Sequence, residues 1–482
     1  MLCSHTSKPN IYAPSAPKKL HLILLVWMAF GAGLTGWSQE TDFSPFARFG
    51  LGTAQGNLAP NVAGIGGISS ISTTNLAFNA DQPASASGLL QPTFQGSVVV
   101  QQIQLEEGDK MSNAVTGGPG NFGLVVKRPR SQSALQLGLT PLTSKAFSIA
   151  RTSTDSTLGE IKESYDGSGG LARAHLGYAR GWRGRSWVDA GGTDSVLINR
   201  QGLDVGVQLD HWFGDAIQSS TTDILDLSHR DVQTVLSSRH RATGVVLGAA
   251  GYRVMRARYD ETRQFRGSWM VRLGGTWSPA RTLNTDFTRL RQSTLVLNGT
   301  ITPIDTSAFE QEILLGEIPQ KWTLGGGIQW DGGRGHRLGL FVDHHRQAWS
   351  QSADQLSHLM DGSAQWGDAK STAFGVLWIP GRKSGKVSRA TYRAGWCQTT
   401  LPVVLQADDM TLHPLEEWRA SLGVNAPLKG SRSSSQIHLG MDFGRRSTEL
   451  PNTHQETNLR FHVGVTLTPF AKNLWLTPRL YD

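Results

Sequence analysis

Apolar and polar side chains alternate with a period of two along most of this sequence. From 203 to 210, Leu and Val occupy the odd positions, whereas Asp204, Gln208 and Asp210 occupy even positions. The same pattern recurs over 268–278, where Arg272 lies on the polar side, and over 459–468. Because successive side chains of a strand point to opposite faces, each segment predicts a β-strand with one apolar face and one polar face.

The number and length of these segments predict a large sheet. Further alternating segments begin near Phe94, Phe122, Ala134, Ala172, Thr243, Trp322, Arg337, Ser371, Thr391, Trp418 and Ser435. With the three above they indicate about fourteen strands of about nine to eleven residues, the length that a tilted strand needs to cross a membrane. Sixteen strands are also possible, because residues 294–316 have room for another hairpin.

The connections between the predicted strands fall into two classes. Short polar turns are expected at 128–133, 331–336, 381–388 and 427–434. Longer connections are expected at 106–121, 141–171, 214–242, 279–321, 347–370, 398–416 and 444–457. Short turns on the periplasmic side and longer loops outside are typical of outer-membrane barrels. The region 181–202 is long for a periplasmic turn.

The composition favours a membrane barrel over a soluble β-sandwich. A sandwich also shows alternation, but its strands are usually nearer five or six residues. The chain has 55 Gly and 15 Trp, and only 38% of its residues are hydrophobic, as a polar interior and interfacial aromatic belts require. Since every backbone amide in hydrocarbon must be paired, an open sheet edge is excluded. We therefore predict an all-β fold, a closed antiparallel transmembrane β-barrel.

The N-terminus predicts export. Lys18 and Lys19 precede an apolar run over 22–30, and the small residues Gly36 and Ser38 follow it. This arrangement is typical of a signal peptide, residues 1–38, with cleavage after Ser38. An N-terminal membrane anchor is the alternative, but the apolar run is shorter than the roughly 20 residues that a span needs. Export of a barrel predicts localisation in the cell outer membrane, with outer-membrane lipids and the outer-membrane assembly machinery as partners.

Residues 39–90 differ from the rest of the chain. They are rich in Gly, Ala, Ser and Asn and lack sustained alternation, so we predict an N-terminal hatch or plug, with the barrel over 91–482. The motifs here are 47–52, which includes Arg48, Phe49 and Gly50; the glycine-rich 64–68; and 82–85. The last consists of Gln82, Pro83, Ala84 and Ser85.

These motifs, the glycine-rich segment 165–171 and the ending Leu480-Tyr481-Asp482 resemble those of FadL-like outer-membrane proteins. Gln82 stands where the family carries Asn. The resemblance implies a fourteen-stranded barrel with an N-terminal hatch. It also implies passive uptake of long-chain fatty acids or other small hydrophobic molecules, which leave after local movement of the hatch or through a wall opening where a strand kinks. FadL-like barrels also serve as adaptors, so the alternative is a non-transporting barrel that anchors secreted or surface protein partners.

Candidate lumen residues are Asp204, Gln208, Asp210 and Arg272, which could contact a ligand head group or pair across the lumen. Gly167–Gly170 lacks the Lys-Ser/Thr sequel of a phosphate loop. His344 and His345 are adjacent, so a strand directs them to opposite faces and they cannot bind one metal. We predict no enzyme activity, metal or cofactor. The modest positive charge without basic runs also predicts no nucleic-acid partner.

Overall fold

The computed structural model describes residues 43–468, except 57, 72, 109, 128–130, 156–158, 190–194, 225–229, 298–299, 361–363, 382–389, 408–409, 429–433 and 451–453. The predicted signal peptide and the ending Leu480-Tyr481-Asp482 lie outside the described residues, as do parts of the predicted turns at 128–133, 381–388 and 427–434. Among the described residues, no helix has the length and apolar character needed to cross a membrane.

Fourteen antiparallel strands form a closed barrel. In chain order they are β1 Thr93–Glu107, β2 Lys110–Lys127, β3 Ser133–Ser144 continued by Phe147–Asp155, β4 Gly159–Asp189, β5 Ser195–Ile224, β6 Asp231–Tyr259, β7 Phe265–Ser278 continued by Arg281–Leu297, β8 Lys321–Gly332 preceded by Thr300–Ile318, β9 Arg337–Gln347, β10 Ala369–Ile379 preceded by Ala364–Trp366, β11 Thr391–Gln406, β12 Leu412–Pro427, β13 Gln436–Ser447 and β14 Gln455–Leu467. Each strand pairs with its neighbours in this order. β14 pairs with β1, with Leu467 opposite Phe94, and this pairing closes the sheet.

The closed antiparallel barrel of about fourteen strands is therefore confirmed. Every predicted strand corresponds to one of the fourteen. Residues 294–316 add no further wall strand, because Thr300–Ile318 pairs with the second half of β7 and Lys321–Gly332 pairs with its first half. The faces also agree with the alternation. Leu203 and Leu209 are each 50% exposed on the outer surface. Asp210 lies on the inner face of the same strand and is 1% exposed.

The predicted long loops are mostly wrong, because the strands continue through them. Residues 141–171, 214–242 and 279–321 form paired β-structure over most of their length, and 181–189 and 195–202 likewise belong to β4 and β5. These parts extend beyond the membrane, where water lies on both faces of the sheet. No apolar face is needed there, so the sequence has no alternation to identify a strand.

The parts that extend from the end of the barrel opposite Thr93 and Leu467 form a six-stranded sheet, and this end is extracellular in outer-membrane barrels. Its order is Phe147–Asp155, β4, β5, β6, Arg281–Leu297 and Thr300–Ile318. Pro279 and Pro319 lie at the points where the hairpin 281–318 leaves the wall, and proline lacks the N–H that a strand ladder requires. In the described part of the chain, the two outer strands of this sheet have a neighbour on one side only.

Residues 43–92, called the N-terminal segment below, contain only short elements. These are a 3-10 helix Pro45–Arg48, a two-residue strand Thr53–Ala54, and helices Pro60–Ala63 and Ser85–Gly88. The apolar side chains of the segment are buried against inward-facing wall residues in separate clusters. Ile65, Ile68 and Ile71 pack with Phe341 and Leu377. Further along the segment, Phe78 packs with side chains of β2, β3 and β4.

Candidate functional site: the interface between the N-terminal segment and the barrel wall

Inward-facing glycines allow the backbone of the N-terminal segment to lie directly against the strands. Gly206 and Gly248 are opposite each other on β5 and β6. A Cβ atom at Gly206 would lie 2.5 Å from the carbonyl carbon of Pro83 and 2.6 Å from the amide nitrogen of Ala84, so a side chain has no room. Around the barrel, a Cβ atom at other inward glycines would likewise meet backbone or side-chain atoms of the segment. We call these glycines the glycine belt: Gly123, Gly206, Gly248, Gly274, Gly325, Gly375, Gly395, Gly423 and Gly464.

The predicted motif at 82–85 lies at this interface. The Gln82 side chain is fully buried, and its Nε2 donates to the Ser70 oxygen of the segment at 2.5 Å. The wall oxygens of Ala249 at 3.3 Å and Gly275 at 3.2 Å share its other N–H. These two residues are opposite each other on β6 and β7. Pro83 and Ala84 form the contact with Gly206, and the Ser85 hydroxyl donates within the segment to a backbone oxygen at 3.1 Å. Gln82 therefore fastens the segment to two strands at once.

The predicted motif at 48–50 lies near the extracellular end. Lys145, in the break of β3, donates from Nζ to the backbone oxygens of Arg48 at 2.9 Å and Gly50 at 2.8 Å. Phe49 is buried, and the Arg48 guanidinium lies 4.5 Å from the centre of its ring. Gly50 has φ +56°, a conformation that favours glycine, and it packs against the Trp366 ring.

An apolar cluster covers the N-terminal segment on this side. The mouth cluster comprises Leu51, Leu171, Ala242, Leu283, Ile318, Trp349, Leu356 and Trp366. Trp349 and Trp366 stack with ring centroids 4.9 Å apart, and Trp366 Nε1 donates to the Leu356 oxygen at 2.9 Å. Trp349 and Leu356 lie in the loop that follows β9. In this loop, the Ser350 hydroxyl donates to Asp368 at 2.6 Å and lowers the pKa of that carboxyl. The loop is thereby fixed beside β10.

The four candidate lumen residues do not converge on one site. Asp204 pairs with Arg183 at 2.7 Å and accepts a hydrogen bond from Ser87 of the N-terminal segment. Gln208 donates to Asp210 at 2.7 Å. Asp210 also lies 3.7 Å from an Arg173 nitrogen and 4.0 Å from an Arg281 nitrogen, and Arg173 in turn pairs with Asp81 of the segment at 2.7 Å.

Arg272 has different surroundings. Its Nε donates to Gln329 at 3.1 Å, and its guanidinium lies 5.8 Å from the centre of the Tyr252 ring. Three of the four candidates thus take part in contacts that join the wall to the N-terminal segment. Gln329 and Tyr252, which Arg272 contacts, belong to the wall itself.

A second polar anchor, which was not predicted from the sequence, lies on the opposite part of the wall. Arg446 on β13 is opposite both Glu417 on β12 and Glu456 on β14. Its guanidinium is fully buried and contacts these carboxylates at 2.9 and 3.3 Å. Ser44 of the N-terminal segment hydrogen-bonds to Glu456 and accepts from Arg446. The signal available in the sequence was opposite charges at inward positions of three consecutive strands.

Further polar contacts complete the interface. Asp343 on β9 accepts from the amide nitrogens of Ser69 at 2.8 Å and Ser70 at 3.0 Å. Lys127 on β2 donates to the Leu89 oxygen at 2.7 Å. The segment is therefore held by charged groups from several sides of the barrel. Within the described residues, no three His, Cys, Asp or Glu side chains are grouped as metal ligands would be.

Several solved structures are similar to this chain at low sequence identity. No curated protein matches the sequence. The Pseudomonas putida toluene transporter TodX is 13% identical over 89% of this chain and 99% of its own, with a TM-score of 0.43. The Ralstonia pickettii toluene transporter TbuX is 12% identical over 86% and 98%, with a TM-score of 0.46. A Pseudomonas aeruginosa FadL homologue is 12% identical over 89% and 99%, with a TM-score of 0.44.

The similar solved structures thus include a homologue of FadL, the family that the motifs resemble. The family model described as BamG matches residues 18–482, which is nearly the whole sequence. The chain therefore belongs to the BamG family.

Proposed function

We propose that this protein is a plugged outer-membrane barrel that serves as an adaptor for protein partners. The observation that supports the proposal is the attachment of the N-terminal segment to the wall from several sides, at the glycine belt, Gln82, Ser44 and Asp343. Hydrogen bonds to charged groups contribute about 1.5–3 kcal/mol each, so displacing the whole segment would sacrifice several such contributions. If the N-terminal segment stays in the lumen, a partner protein binds to the outer surfaces of the barrel.

The extracellular sheet offers a suitable surface for a protein partner. Its outer strand Thr300–Ile318 carries Phe309, Ile313 and Leu315, which are 63%, 74% and 65% exposed. An extended segment of another protein can pair with a sheet edge, with backbone hydrogen bonds supplying affinity and side chains supplying specificity. The family name BamG agrees with a partner in the outer-membrane assembly machinery, the partner class that we include in the proposal.

The test is to lock the segment to the wall. Cysteines replace Ser87 and Asp204, whose side chains are hydrogen-bonded in the native protein, and a reducible thiol crosslinker joins them in a Cys397→Ala background. The control pair replaces His344 and Thr372, which join β9 to β10 at 2.9 Å away from the segment. Cells lacking the protein are complemented with each variant.

We expect the locked protein to restore the level of assembled outer-membrane proteins as fully as the control pair does. A loss on crosslinking that reduction reverses, with the control pair active, would contradict an adaptor role that needs no movement of the segment.

Passive uptake of a hydrophobic molecule, such as a long-chain fatty acid, is the second candidate. The observation that favours it is the mouth cluster, whose stacked Trp349 and Trp366 form an apolar surface at the extracellular end above the N-terminal segment. In this mechanism the segment acts as a hatch and moves locally. Radiolabelled oleate uptake by the same variants tests it: uptake that stops on locking and resumes on reduction supports transport, and uptake no greater than in cells without the protein rejects it.

A further inference from the structure

The outer wall contains a groove in its membrane-facing surface, across β4 to β8. Its volume is about 1030 Å³, at the upper end of typical small-molecule sites. The floor consists of the small outward residues Ala249, Gly251 and Gly275, where neighbouring positions of the wall carry large side chains. Leu203 and Leu273, 50% and 65% exposed, form its sides. The lipid-facing surface is therefore indented here.

Aromatic side chains close the groove at its extracellular end. Trp277 on β7 is opposite Leu247 on β6 and Trp322 on β8, and all three line the groove. From Leu247 to Arg253 the groove follows β6 for about 20 Å at the usual strand rise. With a strand tilt of about 40°, that distance corresponds to about 15 Å along the membrane normal. This is somewhat more than half of the apolar band of about 25 Å on outer-membrane barrels, enough for the acyl chains of one leaflet.

The other end of the groove is polar and basic. Arg253 lines it, is exposed, and lies opposite Gln201 on β5. Three residues further along β6, beyond a bulge, Arg256 is exposed and lies opposite Trp269, which is 51% exposed. This end lies toward the turn at 260–264 and on the same side as Thr93 and Leu467, where the barrel strands begin and end. That side is periplasmic in outer-membrane barrels.

We propose that the groove binds a phospholipid of the periplasmic leaflet, with its acyl chains over Ala249 and Gly275 and its phosphate on Arg253 and Arg256. The groove is long enough for the acyl chains of one leaflet, and its charge is complementary to a phosphate at the level where head groups lie. Guanidinium groups bind phosphate through paired hydrogen bonds, and Trp269 is suited to the interface beside them. The site lies on the outer wall and is independent of the adaptor proposal.

The experiment uses the full mature protein in detergent, with lipid retention measured by native mass spectrometry. The probes are phosphatidylglycerol and diacylglycerol with the same acyl chains, because the second lacks only the phosphate head group. Arg253→Ala with Arg256→Ala removes the phosphate site, and Ala249→Leu fills the floor. The matched controls are Arg445→Ala and Ala420→Leu, exposed outward positions on β13 and β12. Heat-modifiable gel migration establishes that each variant has folded.

We expect the wild-type protein to retain phosphatidylglycerol about tenfold more strongly than diacylglycerol, since charged hydrogen bonds of this kind correspond to about tenfold or more in affinity. The double arginine variant should abolish this difference, Ala249→Leu should weaken both lipids, and the controls should match the wild type. Equal retention of the two lipids by the wild type would overturn the proposal. So would unchanged phosphatidylglycerol retention in both groove variants, or a cysteine at 249 that crosslinks in membranes to another protein.

Discussion

Replacement of Gly206 by Ala should displace the N-terminal segment from the wall. The new Cβ would lie 2.5 Å from the Pro83 carbonyl carbon, and ordinary contact begins at 3.4 Å, so the backbone must retreat by about 0.9 Å. The carbonyl carbon of Pro83 and the amide nitrogen of Ala84, which the new Cβ would meet, are backbone atoms. A change of side-chain rotamer therefore cannot relieve the overlap. Overpacking of this kind costs about 1–3 kcal/mol, and we expect the upper half of that range.

Gly440→Ala is the matched control for this prediction. Gly440 also faces inward, but a Cβ there would meet its nearest neighbour, His462 Cβ, at 3.4 Å. Alanine reduces the entropy of the unfolded chain, so this variant should be neutral or more stable by about 0.4–1 kcal/mol.

Urea unfolding in detergent micelles measures the stability of the two variants. A cysteine at the buried Ala86, in a Cys397→Ala background, reports exposure of the segment through its rate of maleimide labelling. We expect a lower unfolding midpoint and faster labelling for Gly206→Ala only. Equal midpoints and equal labelling rates for the two alanine variants would refute the close packing of segment backbone on the glycine belt.

Three further substitutions, the last with a matched control, test two polar contacts and the facing of β14. Arg446→Met leaves the buried Glu456 without its cation, whereas Glu417 keeps its ion pair with Arg419. The variant should cost about 3–5 kcal/mol in urea unfolding, and a cost below about 1 kcal/mol would contradict the burial of this anchor. Gln82→Leu removes the donor shared by two wall strands and should cost about 1–3 kcal/mol with faster labelling at position 86; unchanged labelling would show that Gln82 does not fasten the segment. Val463→Arg places a charge in lipid and should cost about 2–4 kcal/mol of folding free energy, whereas Thr466→Ser keeps its inward hydroxyl and should cost less than about 1 kcal/mol; equal folding yields would disprove the facing of β14.

The strands and their faces were predictable because each residue carries information about its own surroundings. A lipid-facing position requires an apolar side chain and the next position does not, so 203–210 and 459–468 identify both a strand and its orientation. Outside the membrane this alternation is no longer required, so it no longer identifies strands. Residues 141–171 and 214–242 extend beyond the membrane, and their polar sequences describe a two-sided polar strand and a loop equally well.

The candidate site was only partly predictable, because its contacts depend on register. Glu417, Arg446 and Glu456 lie side by side only after three strands have been aligned residue by residue. A shift of two positions would keep every face and separate the charges. The motif at 82–85 could be identified from the sequence, but its two wall partners, the oxygens of Ala249 and Gly275, are backbone atoms with no sequence signature.

The inward face of β5 shows how the wall and the N-terminal segment specify each other. Asp204 bonds to Ser87, Gly206 receives the backbone of residues 83 and 84, and Gln208 Nε2 donates to the Ala80 oxygen at 3.4 Å. Successive inward positions of this strand therefore contact successively earlier parts of the segment. A polar lumen would accept any hydrophilic residue at these positions, whereas this order requires a carboxylate, a glycine and an amide in sequence. The polar face of β5 is for this reason a docking surface for the segment, and substitutions there should loosen the segment before they affect the barrel.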